Sequence, residues 1–441
     1  MKKWLYFTLA AGMISCRPEL TPEAVNPGST NVSNFIVIGD SYLSGYQDGA
    51  LYQDGQLRSV GMLMHQSLKE GGAGGFIQAL MPDNEGLGYN SKPWESTYVS
   101  SSKLRNRTDC EGVTSLGPVK TLYTSGQQSI YLIPTAFGSI NDLSIPFATS
   151  SDFLATDLHT RNPYYYKYSG SFGNASPKEV ARANAPTFFA SWIGMENIFR
   201  FARNGGFNQT LISPAQFASD LDSVFTALTA NGAKGVVATI PDFRLMPYYT
   251  LVPWNGAHLE QEDADSLSSI YASAGMSHIS FEAGNNGFVI EDAAAPLGYR
   301  QLIDGEYITL SVPLDSMKCY YYGIMVNVLH ERYVLDSAEV AQIDDHIAQY
   351  NTIIRQKAAQ YGLALADIAS WMPSLESGVQ WNGITYTPEF VSGGFFSLDG
   401  FHPTQKGANL IANQFILAIN AAYGSTFPTV YCEDCNGVLF P

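Results

Sequence analysis

The chain is 441 residues long, 45% hydrophobic and 15% charged, a balance that suits a globular protein with an ample core, in one large domain with insertions or in two domains. Its 24 basic residues stand against 40 acidic ones, for a net charge of −16. That balance argues against nucleic-acid binding and against docking on anionic lipid through a basic patch.

In chain order, Lys2-Lys3 precede an apolar run from Trp4 to Ile14 that is too short to span a bilayer but suits a signal-peptide core. Met13-Ile14-Ser15-Cys16 looks like a bacterial lipobox with Met13 in place of the usual Leu. Residues 1–16 are therefore expected to be removed up to a lipid-bearing Cys16. Residues 17–33, rich in Pro, Glu, Thr, Ser and Asn, read as a flexible tether. Phe35-Ile36-Val37-Ile38 then reads as a strand buried on both faces, stopping at Gly39-Asp40-Ser41. A hydroxyl at that strand end sits where open α/β sheets keep their chemistry, beside helix N–H groups that can hold an oxyanion. Helical turns are expected between Met62 and Leu80, broken by the glycines from 71 to 75, which lack the spacing of a nucleotide loop.

The tyrosines 164, 165, 166 and 168 form an aromatic cluster suited to packing or to lining a cleft. Residues 186–193 predict a second buried strand, ending in Gly194-Met195-Glu196-Asn197. Ser213-Pro214 opens a helix with Phe217, Leu221, Val224 and Leu228 on one face. A strand from Gly235 to Ile240 then completes a βαβ crossover, with Asp242 as a cap or turn residue. Residues 245–335 read as a long insertion with strands at 288–290 and 307–310, placed to cap the site. Asp336 and Glu339 form a capping box for a helix that Gly362 ends, and the last parallel strand follows at 363–368. Asp399 and His402, three residues apart before a closing helix (408–423), can share one side of a turn, so that the carboxylate fixes the imidazole tautomer. The tail, 425–441, carries Cys432 and Cys435. With Cys110 and Cys319 these permit two disulfides, in any of three connectivities. The other six histidines lack ligand-like spacing, so neither a metal nor a cofactor is expected.

Gly39-Asp40-Ser41 after a first strand, together with Asp399-x-x-His402 near the C-terminus, resembles the SGNH (GDSL) hydrolase family over most of residues 34–424. The resemblance implies a three-layer α/β sandwich with a mainly parallel, flavodoxin-like sheet, Ser41 as nucleophile, His402 as general base and Asp399 as its orienting partner. The insertion looks like one seen in Bacteroidetes-type relatives. The family's second block supplies an oxyanion N–H from a Gly, and Phe147 stands there. Its third block supplies an Asn. Glu196 occupies that position and Asn197 the next, so either Asn197 shifts into the role or one donor is missing. The implied function is a cell-envelope lipoprotein esterase, lipid-anchored to the outer membrane and acting on an acyl lipid or acylated glycan. The other reading is an accessory lipoprotein of the same fold that binds lipid or glycan, or docks on an outer-membrane protein.

Overall fold

The computed structural model describes residues 24–89, 98–120, 140–165, 174–325 and 327–441. Cys16, the signal segment, Tyr166 and Tyr168 lie outside the described residues. Five strands make the central sheet: β1 (Phe35–Gly39), β2 (Asp142–Ser144), β3 (Phe188–Trp192), β4 (Lys234–Ala238) and β5 (Ala364–Ala366). All neighbours pair in parallel, in the order β2-β1-β3-β4-β5, with Val37 opposite Asp142 on one side and Ala190 on the other. This is the flavodoxin-like order. Chain connections leave β1 in opposite directions, so a crevice opens at the carboxyl ends of β1 and β3.

Every residue of β1 and β3 is buried, as the unbroken apolar runs require. The helices that cover the sheet or shape the site are α1 (Ser41–Ser44), α2 (Val60–Lys69), α3 (Met195–Ala202), α4 (Pro214–Thr229), α5 (Leu314–Tyr320), α6 (Ser337–Tyr361) and α7 (Gln405–Tyr423). Alternation along β3 assigns the layers. Phe188 meets Tyr423 of α7 edge-on and Trp192 lies tilted against Phe415 of α7, whereas Phe189, on the opposite face, stacks on Phe225 of α4. Helices α2 and α7 pack together on the first face, and α4 packs with α6 on the second. The caps fall where the sequence places them: Ser213 on α4, the Asp336–Glu339 box on α6, and Gly362 at φ +63° behind it.

One expectation needs correction. Residues 24–33 are not a free tether. Asn26 N–H donates to Thr426 Oγ1 (2.9 Å), Ser29 N–H donates to the Tyr423 carbonyl (3.0 Å), and Val32 is in the core. Backbone pairing with the segment after α7 orders a stretch whose composition alone suggests none. The tail is likewise strapped down, since the Asn409 and Asn413 amides both donate to the Val430 carbonyl. In the insertion, the two predicted strands exist, each paired with a different partner. Val289–Glu291 pairs with Tyr299–Gln301, and Tyr307–Ile308 pairs with Val334–Leu335. The insertion carries its own apolar cluster, centred on Val289, Ile308 and Leu329. The disulfides are Cys110–Cys319 and Cys432–Cys435. The first ties a long hairpin (Lys103–Thr108 with Thr114–Val119) to α5 of the insertion, where Arg107–Asp315 and Lys318–Asp109 ion pairs reinforce it.

Candidate active site

The strand β1 stops at Gly39 because nothing larger fits: a Cβ there would lie 2.6 Å from the Trp192 carbonyl oxygen and 2.7 Å from Leu43 Cδ1. Asp40 caps α1, accepting from Tyr42 N–H at 3.4 Å, and its other oxygen accepts from Glu196 N–H at 3.3 Å. One carboxylate thus ties the ends of β1 and β3 together. Burial, and then the neighbouring Glu196 charge, push the Asp40 carboxyl up to about 8, against the amide donors of Glu196, Tyr42 and Met195. Such an acid keeps a proton in the fold that the unfolded chain releases at a pKa of about 4. Stability is therefore present below that value and lost as pH climbs toward about 8. The melting temperature of wild type is expected to fall relative to Asp40→Asn across this window. Parallel profiles for the two proteins would remove Asp40 as the cause.

Ser41 follows, 2% exposed, and its Oγ accepts from Phe147 N–H at 3.4 Å. Phe147 adopts φ +64°, a left-handed conformation that favours glycine, and it still presents its N–H to Ser41. That conformation costs a non-glycine residue about 1–2 kcal/mol. Arg200 offsets it by donating to the Phe147 carbonyl at 2.6 Å.

The C-terminal motif is brought to α1 by direct bonds. Tyr42 O–H donates to the Phe401 carbonyl (2.5 Å), and Asp48 accepts from Leu398 N–H (2.9 Å). Asp399 and His402 are joined through Oδ2 and Nδ1 at 2.8 Å. Asp399 also accepts backbone N–H from Gly49 (3.0 Å), Phe401 (2.9 Å) and His402 (2.8 Å), and the Ser397 hydroxyl (3.1 Å). Burial opposes its ionisation, but the His402 charge and these donors outweigh it, and the carboxyl falls to about 2. Asp399 is therefore a carboxylate at neutral pH, fixed to hold Nδ1–H and leave Nε2 as the acceptor. His402 is 3% exposed, and its Nε2 has no hydrogen-bond partner among the described residues. Tyr42 and Tyr46 flank the ring, with centroids at 5.5 and 4.7 Å.

The third block departs from expectation. Asn197 does not face Ser41. Its amide accepts from Ser150 N–H and donates to Ser150 Oγ, both at 2.8 Å, which spends it on holding the loop after β2. Glu196 is buried but turned into an ion pair with Arg203, with Arg200 at 3.9 Å. The Arg203 guanidinium lies over the Phe147 ring (4.7 Å) and near that of Phe401 (5.5 Å). The carboxylate is thus neutralised rather than aimed at a developing oxyanion. Sequence reasoning missed Arg203, although Glu196 and Arg203, seven apart across α3 and its end, share a helical face.

Asp399, His402, Phe147, Glu196 and Arg203 line a cavity of about 1600 Å³, roofed by the hairpin and the insertion. No family model matches the chain, and a search of curated proteins finds no match. Among solved structures, the chain is similar to "LAE5, an alpha/beta hydrolase enzyme from the metagenome of Lake Arreo, Spain", with 13% identity, a TM-score of 0.35, and 89% of this chain and 97% of that one covered. A likeness so distant bears on neither chemistry nor substrate. Among the described residues no group of His, Cys, Asp and Glu is placed to hold a metal ion, and no helix is long and apolar enough to cross a membrane.

Proposed function

We propose that the protein is a serine esterase of the SGNH type. In it, Ser41 attacks an ester carbonyl, His402 Nε2 takes the hydroxyl proton and Asp399 stabilises the resulting imidazolium. The observation that carries this reading is the Asp399–His402 bond: an ionised carboxylate holds Nδ1, and His402, whose buried Nε2 has no partner among the described residues, lines the cavity. An unsatisfied buried nitrogen is costly unless it has work to do. Rotation of the Ser41 hydroxyl away from Phe147 N–H gives it a proton to accept, and frees that N–H for the oxyanion. Without Asn197 the hole has one donor fewer, so turnover is expected to be slow by about 10²–10³-fold relative to a complete hole.

The cavity has room for a long acyl chain or a glycan, with Leu116, Leu251, Val252 and Phe288 among its apolar walls. The leader and its Cys16 support placement in the cell envelope, lipid-anchored to the outer membrane. One observation favours the second reading, an accessory protein that binds without turnover: Ser41 is nearly buried and makes no hydrogen bond to His402. Hydrolysis of p-nitrophenyl esters from acetate to palmitate separates the two. Activity that disappears in Ser41→Ala establishes the esterase, and its chain-length profile ranks acetyl esters against lipids. Wild type no faster than Ser41→Ala establishes the binder.

A further inference from the structure

The charge inside the cavity runs against that of the chain. The protein carries −16 overall, yet among the residues lining the cavity Lys and Arg outnumber Asp and Glu by seven to five. Each of those five carboxylates already has a cation or His402 beside it: Asp109 and Asp315 across the roof, Asp152 and Glu196 near Phe147, and Asp399 at His402. Lys120, at the base of the hairpin, forms no ion pair or hydrogen bond with a described residue. Its Nζ lies 3.0 Å from where a Cβ on Gly49 would sit. Gly49 is the residue whose N–H binds Asp399, and at φ +75° it leaves bare the space the ammonium uses.

Lys120 is exposed, and it lines the cavity. Desolvation by the surrounding protein nonetheless lowers the ammonium's pKa, and the Asp399 charge opposes it. An ammonium on the cavity wall with no partner among the described residues is free to pair with an incoming anion. Among the described residues nothing uses the charge. We propose that the cavity selects esters carrying an anionic group, a carboxylate or a phosphate, and that Lys120 is the residue that pairs with it beside His402. This deepens the esterase reading and rests on it for the word ester. The anion site stands on the geometry of Lys120 and Gly49.

The test compares wild type, Lys120→Ala and Lys120→Arg on p-nitrophenyl hydrogen succinate and p-nitrophenyl butyrate, whose acyl groups have the same number of carbons. Lys120→Ala is expected to lower the ratio of the two kcat/KM values by about 10–100-fold, what a charge-assisted hydrogen bond contributes. The loss should lie in KM, and Lys120→Arg should recover most of it. An unchanged ratio overturns the proposal. If neither ester is turned over, the esterase reading fails and calorimetry still tests the site, with succinate and inorganic phosphate titrated into the same three proteins. Binding that Lys120→Ala abolishes supports the anion site, and the stronger of the two ligands identifies carboxylate or phosphate. No binding to wild type, or equal binding to Lys120→Ala, sinks it.

Discussion

Ser41→Ala is expected to remove about 10⁶-fold of kcat on p-nitrophenyl acetate, the order of loss when a nucleophile that works with a base is deleted. His402→Ala should cost about as much, and the double variant little more, because the two groups act as one unit. Asp399→Asn should cost about 10⁴-fold by allowing the wrong tautomer of His402. The geometry makes that variant a sharp test. Asp399 accepts three backbone N–H groups besides the His402 ring, so an amide would have to turn a donor toward donors. Some of its loss should therefore appear as a lower melting temperature as well as a lower kcat. With its carboxyl at about 2, Asp399 stays ionised through the neutral range, and the stability it contributes is lost only as pH falls from about 4 toward that value. If folded Ser41→Ala retained wild-type hydrolysis, Ser41 would not be the nucleophile.

What the sequence discloses here is what is local. Four apolar residues before Gly39 give β1, Ser213-Pro214 gives the start of α4, and Asp399 reaches His402 within one turn. Each depends on neighbours a few residues away, so spacing and residue type suffice. The site's departures are settled from farther off. Glu196 reads as a charge aimed at the oxyanion until Arg203 is seen to take it. Asn197 reads as a substitute donor until Ser150, 47 residues upstream, claims its amide. Phe147 keeps a glycine's backbone angle because Arg200, on another element, bonds its carbonyl. Cys110 finds Cys319 across 209 residues, one of three pairings that spacing alone leaves equal. Residues 24–33 look like a tether because their composition offers no core, yet hydrogen bonds to the backbone at Tyr423 and Thr426 order them. Composition describes what a segment brings, and tertiary pairing decides what it meets.

Breaking the Glu196–Arg203 pair carries the second large effect, and its sign differs from what the third-block comparison alone suggests. On sequence grounds Glu196→Asn restores a missing donor and should raise activity. In the structure Glu196 is 2% exposed and Arg203 about one-fifth exposed, so the pair is buried chiefly at the carboxylate. Arg203→Met leaves a buried charge whose remaining cation, Arg200, is 3.9 Å away, at a cost of about 3–5 kcal/mol. Glu196→Asn shortens the side chain away from Arg203 and strands a guanidinium that the Phe147 and Phe401 rings only partly compensate. Its cost should be smaller, since Arg203 keeps contact with water. Both variants loosen the ring between Phe147, which donates to Ser41, and Phe401, which precedes His402, so both should lose activity. The neutral double variant Glu196→Gln/Arg203→Met should recover much of the stability, because neither charge is then left unpaired. Urea unfolding of wild type, Glu196→Gln, Arg203→Met and the double variant measures this coupling. An Arg203→Met midpoint equal to wild type would show that the pair does not hold the fold, and a gain of activity in Glu196→Asn would return Glu196 to the oxyanion hole.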